Sequence, residues 1–265
     1  MKRIKEFFAI NKLYIYTFLI LCFIISFFYG FSSFGYFFRN TFDIYLKNFQ
    51  KEDMMVFSSY GFDKEEFDLI NKDSKLEYVS SLRTIDVNIK DTNLILNVES
   101  MPESWVKYEL IEGKFPSSSG EIAIEKIKNN DYKIGDKISL VKRGAFSSLR
   151  LKIEEFTICG FISSPQSILA EGSASSIISN SKIDGYGLII DDDFNISYDN
   201  LLKLKYKDTE DLSYFSTDYK AINDSRSLNF LEESEKLKAV KKTKVEKNLK
   251  DLSSNLEKEI VRLDK

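Results

Sequence analysis

Asp191, Asp193 and Asn195 stand at alternate positions, the first, third and fifth places of a calcium loop, where hard oxygen donors gather around a divalent cation. The sixth place holds Ile196 instead of glycine and the twelfth Leu202 instead of glutamate, so the pattern reads as a solvated acidic turn. Glu121 and Glu125 are the nearest approach to a paired-carboxylate acid and base, yet acids on the exposed face and end of a strand are commonplace. Histidine is absent (0 residues), which removes a Ser-His-Asp or Cys-His site, a histidine base and most zinc sites together. Neither a G-x-x-x-x-G-K-[ST] nor a G-x-G-x-x-G run occurs to cradle phosphates. Accordingly no catalytic, cofactor-binding or metal-binding residue and no cofactor is assigned, and the chain reads as a non-enzyme. Asn195-Ile-Ser and Asn223-Asp-Ser are glycosylation sequons by pattern only.

What positions everything else is an interval without charge. Between Lys12 and Arg39 no charged side chain occurs, and the run 13–38 makes a helix of about 39 Å against a hydrocarbon core of about 30 Å. It spans a bilayer. Lys2, Arg3, Lys5 and Lys12 precede it against Glu6 alone, which places residues 1–12 in the cytoplasm and everything beyond about residue 40 outside the cell. Tyr29 and Tyr36, amid Phe27, Phe28, Phe31, Phe34, Phe37 and Phe38, suit the outer headgroup level. A cleavable signal would have a shorter apolar region and a small-x-small site. A lipid anchor on Cys22 would want small residues where Leu19, Ile20 and Leu21 stand. Ile4, Phe7 and Phe8 lie to one side of an N-terminal helix with Lys on the other, an interfacial element able to receive a cytoplasmic partner.

The remaining length, about 225 residues, is enough for one large domain or two small ones plus an appendage. A net charge of -3 gives no basic face, so no nucleic-acid partner is expected. Of the 2 cysteines, Cys22 lies in the membrane and Cys159 in an apolar strand-like run, so the outer part holds itself by core burial without a disulfide. The pattern predicts a helix after Asn40 that continues the membrane helix outward or turns along the surface, strands at 54–57, 76–79, 84–89, 93–98, 121–124 (alternating, half-buried), 138–141, 149–153, 156–161, 187–190 and 201–206, and a helix at 63–71 capped by Asp63 with Glu65 and Glu66 in its first turn. Residues 163–181 read as a long loop holding a short helix. The fold class is α+β: a membrane helix at 13–38, a mixed extracellular domain at 39–225, and a helical segment at 226–265.

In that last segment Val245, Leu249, Leu252, Leu256 and Leu263 recur at coiled-coil spacing, with Glu259 beside Ile260 at the intervening position. Such a helix needs a partner; Leu249, Leu252 and Leu256 are the residues expected to pack on it. The bland alternative is a helix packed on its own domain.

Three blocks carry a resemblance: Glu112-Gly-Lys-Phe-Pro-Ser-Ser-Ser-Gly-Glu-Ile-Ala-Ile-Glu125, Ile134-Gly-Asp-Lys-Ile138, and Phe156-Thr-Ile-Cys-Gly-Phe-Ile-Ser-Ser-Pro165. In order and spacing they resemble the extracellular domain of FtsX-like, or MacB-like, ABC-transporter permeases. Phe62 to Val79 looks like the helix and strand after that family's first membrane helix, 203–207 like its late strand, and the Lys/Glu helix after residue 230 like the coiled-coil insertion of some members. One departure is plain: such permeases have at least four membrane helices, and this chain has one. The resemblance implies an N-terminal portion of a longer permease, a split product, or a single-pass relative. It further implies a separate cytoplasmic ATPase, a second permease subunit or remaining membrane helices, the lipid bilayer, and an exported protein met through the coiled coil as partners. The competing reading is a stand-alone, single-pass extracellular binding or sensor module.

Overall fold

The structure, a computed structural model, describes residues 2–102, 107–127, 131–142, 151–168, 174–179 and 181–263. The chain divides into two compact units, Met1–Tyr206 and Lys207–Lys265.

The first unit opens with α1 (Lys2–Asn48), 47 residues and about 70 Å long. Within it Tyr14–Asn48 is long and apolar enough to cross a membrane, and Phe18, Phe23, Phe27, Phe31 and Phe37 are exposed on the bare helix. The helix stops where the backbone turns left-handed at Gln50 (φ 49). There the Lys51 N–H donates to the Leu46 carbonyl (3.0 Å) and the Gln50 N–H to that of Lys47 (3.0 Å), the pairing of a Schellman cap.

Among the described residues twelve strands follow, with two short helices between them. A three-stranded antiparallel sheet takes β1 (Met54–Phe57), β12 (Leu201–Tyr206) and β2 (Leu76–Leu82) in the order β1-β12-β2. Its apolar face, Leu76, Leu202, Leu204 and Tyr206, packs against Phe67 and Ile70 of α2 (Lys64–Asn71). Asp63 caps α2 as expected, and Glu66 returns the bond: Asp63 Oδ1 accepts from the Glu66 N–H (2.9 Å), and Glu66 Oε2 from the Asp63 N–H (3.0 Å).

The larger sheet runs β5 (Glu109–Gly113), β8 (Glu155–Ser163), β6 (Glu121–Glu125), β11 (Gly185–Ile189), β4 (Ile95–Ser100), β3 (Thr84–Ile89) and β7 (Lys137–Lys142). β7 also pairs with β8, Lys137 to Thr157 and Ile138 to Phe156, which closes six strands into a ring and leaves β5 appended to the far half of β8. Ile85, Val87, Leu96, Val98, Ile122, Phe156 and Ile158 fill one face. Ala123, Cys159, Ile162 and Leu188 fill a second, smaller cluster. β6 therefore buries both faces, where its alternation suggested a half-buried strand; parallel β8 on one side and antiparallel β11 on the other make it central. A register shift opposite Ile122 and Ala123 lets Ile158 and Phe161, three apart, reach the same core.

α3 (Pro165–Ile168) is the short helix expected within 163–181, and β9 (Ala174–Ser175) pairs with β10 (Lys182–Ile183). The strand predicted at 149–153 shows as a single bridge, Leu151 to Phe194, with 149 and 150 outside the described residues. In the second unit α4 (Thr217–Leu263, 47 residues) is capped by Ser216, whose Oγ accepts from the Tyr219 N–H (3.1 Å). It starts upstream of residue 226, where the sequence pattern begins the helical segment.

Candidate functional site

The acids that looked most like chemistry are structural. Asp193 is fully buried, and its carboxylate accepts from Ser119 Oγ and from the Gly120 N–H (3.0 Å), tying a short 3-10 turn to the Ser-rich turn before β6. Asn195 is exposed, Asn223 half-buried on α4. Among the described residues no group of three or more His, Cys, Asp or Glu is arranged to hold a metal ion. Glu121 caps the Ser-rich turn, accepting from the Ser117 N–H (2.9 Å) and from Lys114 Nζ (2.5 Å). The Lys114 hydrogen bond first, then that N–H, holds its carboxyl at about 2. Glu125 faces elsewhere. It is 7% exposed, contrary to the reading of an acid at an exposed strand end, and its oxygens accept from the N–H groups of Ser164 (2.8 Å) and Tyr186 (3.0 Å) and from Ser167 Oγ (2.6 Å). Burial pushes this carboxyl above its ordinary range despite those donors.

Glu125 belongs to a buried polar network at the place where α1 meets the domain. Leu46 is fully buried there, and the Tyr45 hydroxyl lies 3.3 Å from Ser163 Oγ at the end of β8. Glu52, 1% exposed, accepts from Gln166 Nε2 of α3 (3.2 Å) and has the Lys51 ammonium at 3.6 Å. Burial raises the Glu52 carboxyl, but the Lys51 and Lys203 charges and the Gln166 hydrogen bond outweigh it and hold the group below its ordinary value. Asp53 reaches the other sheet: its carboxylate accepts from Lys205 Nζ (2.9 Å) and from the Tyr206 N–H (2.8 Å), while its own N–H donates to the Leu204 carbonyl (2.9 Å).

Beneath them Lys203 of β12, fully buried, donates to Glu99 Oε2 of β4 (2.6 Å) and to the Tyr108 hydroxyl (3.0 Å), which itself donates to Glu99. Burial first, and then the Glu99 charge, push the Tyr108 hydroxyl well above its ordinary value, so it stays a donor. Along β12 the side chains alternate, with Leu202, Leu204 and Tyr206 on the α2 face and Lys203 and Lys205 on the other, aimed at acids. The arrangement fastens the C-terminal end of the apolar helix α1 to α3, β8 and β12 at once.

This network escapes a reading of the sequence, which finds in 203–207 only a strand. The available signal is the alternation Leu201-Leu-Lys-Leu-Lys-Tyr206: a strand apolar on one face and cationic on the other implies acids waiting inside if both faces are covered. Ile4, Phe7 and Phe8 fall within α1, but their side chains lie outside the described residues. The same holds for Leu252 and Leu256, while Leu249 on α4 is exposed.

The fold is similar to the extracellular domain of the ABC-type transporter YknZ from Gram-positive bacteria, with a TM-score of 0.31 and 9% identity over 64% of this chain and 86% of that one. It is also similar to a domain of a permease protein from Porphyromonas gingivalis, with a TM-score of 0.28 and 12% identity over 58% of this chain and 63% of that one. The chain thus spans a little under two thirds of the second. No protein-family model and no curated protein matches it.

Proposed function

We propose that this chain is a permease subunit, or the N-terminal part of one, of an FtsX-like or MacB-like ABC transporter or mechanotransmission complex. A separate cytoplasmic ATPase supplies the motion, α1 carries it across the bilayer, and the outer domain does the work. The observation that carries the reading is the junction: α1 runs unbroken out of its apolar span and ends in a buried network, with Glu52 on α3 and Asp53 on β12. A tether for a free-standing sensor needs no such rigidity. A displaced lever does, because a flexible joint would absorb the movement. The three blocks of family resemblance support the same reading, for they form the β5 turn, the β7 turn and β8, the frame against which the junction is built.

The test is purification of the full chain in mild detergent from its own cells. An ABC ATPase should be retained, and Phe7→Ser with Phe8→Ser should lower its recovery at least tenfold while the chain still inserts. Recovery of the intact chain without any ATPase would contradict the proposal.

A further inference from the structure

α4 carries leucines that are open to solvent. Leu228, Leu231 and Leu249 are 63%, 58% and 62% exposed on this 47-residue helix. In the sequence Leu249 belongs to a block with an internal symmetry. The block Val245, Leu249, Leu252, Leu256 has spacings 4, 3, 4 and so reads the same in both directions. It is bounded by opposite charges at equal distances, Lys242 three positions before it and Glu259 three after it, with Lys241 adjoining Lys242.

We propose that α4 pairs with α4 of a second copy of this chain, antiparallel, about a two-fold axis lying between Leu249 and Leu252. Charge selects this occupant and this register. Laid antiparallel with position 249 opposite 252, position 245 falls opposite 256, and Lys242 of each copy falls opposite Glu259 of the other, with Lys241 one position away. An isologous contact makes every such pairing twice. A parallel in-register pair sets Lys242 against Lys242 and Glu259 against Glu259 on the same apolar block, and like charges at seam positions oppose association. Shifting the antiparallel register by one heptad in one direction brings Glu235 opposite Glu259, and in the other removes Glu259 from the lysines. Only the symmetric alignment satisfies both ends. The inference does not depend on the permease reading, since it follows from α4 alone.

The experiment is sedimentation equilibrium of the full chain in detergent, with charge reversals. The wild type should dimerise. Lys241→Glu with Lys242→Glu, or Glu259→Lys by itself, should weaken the dimer at least tenfold, because each creates like-charge pairs at both ends. An equimolar mixture of those two variants should dimerise as wild type does, each supplying the charge the other lacks, which also shows that both are folded. A spin label at position 233 should report a distance of about 50 Å between copies, against about 20 Å if the helices were parallel. A monomeric wild type, a dimer indifferent to the reversals, a mixture that fails to recover, or the short distance would each overturn the proposal.

Discussion

At the scale of single residues the decisive feature is a lysine with no exposed surface. Lys203 neutralises Glu99 in a space that already holds Glu52, and a buried ion left without its partner costs far more than the pair contributes. Lys203→Met should therefore destabilise the detergent-solubilised chain by about 3–5 kcal/mol in chemical unfolding, and adding Glu99→Gln should recover most of the loss. Acid should separate the two carboxylates at the junction by sign. Glu52, held below its ordinary 4.5, contributes stability above that pH which is lost as pH falls through its folded value. Glu52→Gln should thus be weaker than wild type at neutral pH, with the gap closing below pH 4.5. Glu125, raised above 4.5, contributes in the opposite sense: its stabilisation is present below that pH and fades as pH rises through the folded value. The gap between wild type and Glu125→Gln should be largest in acid, and melting temperatures of both variants from acid to neutral pH check the two signs. The alternation of β12 hints at buried acids, but the partner is not legible in the sequence, because a lysine in an alternating strand looks the same whether it meets water or an acid 104 positions earlier.

At the scale of elements, the features written in local sequence emerge and the long-range ones do not. The Asp63 cap, the uncharged run of α1 and the alternating β6 strand each depend on neighbours a few positions away, which is why they can be read directly. The ring closure cannot. It requires β8 to hold β6 on one edge and both β5 and β7 on the other, which no pattern within its nine residues encodes. β5 itself goes unannounced because all its residues are exposed, leaving no apolar alternation to mark it. Its contact with β8 nonetheless leaves a trace in the paired Gly113 and Gly160. Gly113 takes φ 81, and a Cβ on Gly160 would lie 2.4 Å from the Lys114 carbonyl oxygen, so the two backbones touch where only hydrogen fits. Gly160→Ala should cost about 1–3 kcal/mol by overpacking, with faster amide exchange across Glu109–Gly113 than across Thr84–Ile89.

At the scale of the whole molecule the proposal is one of topology. A rod with no charge for most of its length carries a domain whose base is locked to it by buried ions, and the rod's basic end is expected on the opposite side of the bilayer. The inert cysteines make this simple to test. Cys22 sits within the apolar helix, and burial pushes the Cys159 thiol up to about 11, leaving little thiolate to react near neutral pH. Single cysteines placed at Tyr60, 89% exposed in the domain, and at Lys2 can then be labelled in intact cells with a membrane-impermeant maleimide. Tyr60→Cys should be modified in intact cells and Lys2→Cys only after permeabilisation; protection at position 60 with labelling at position 2 would contradict this topology.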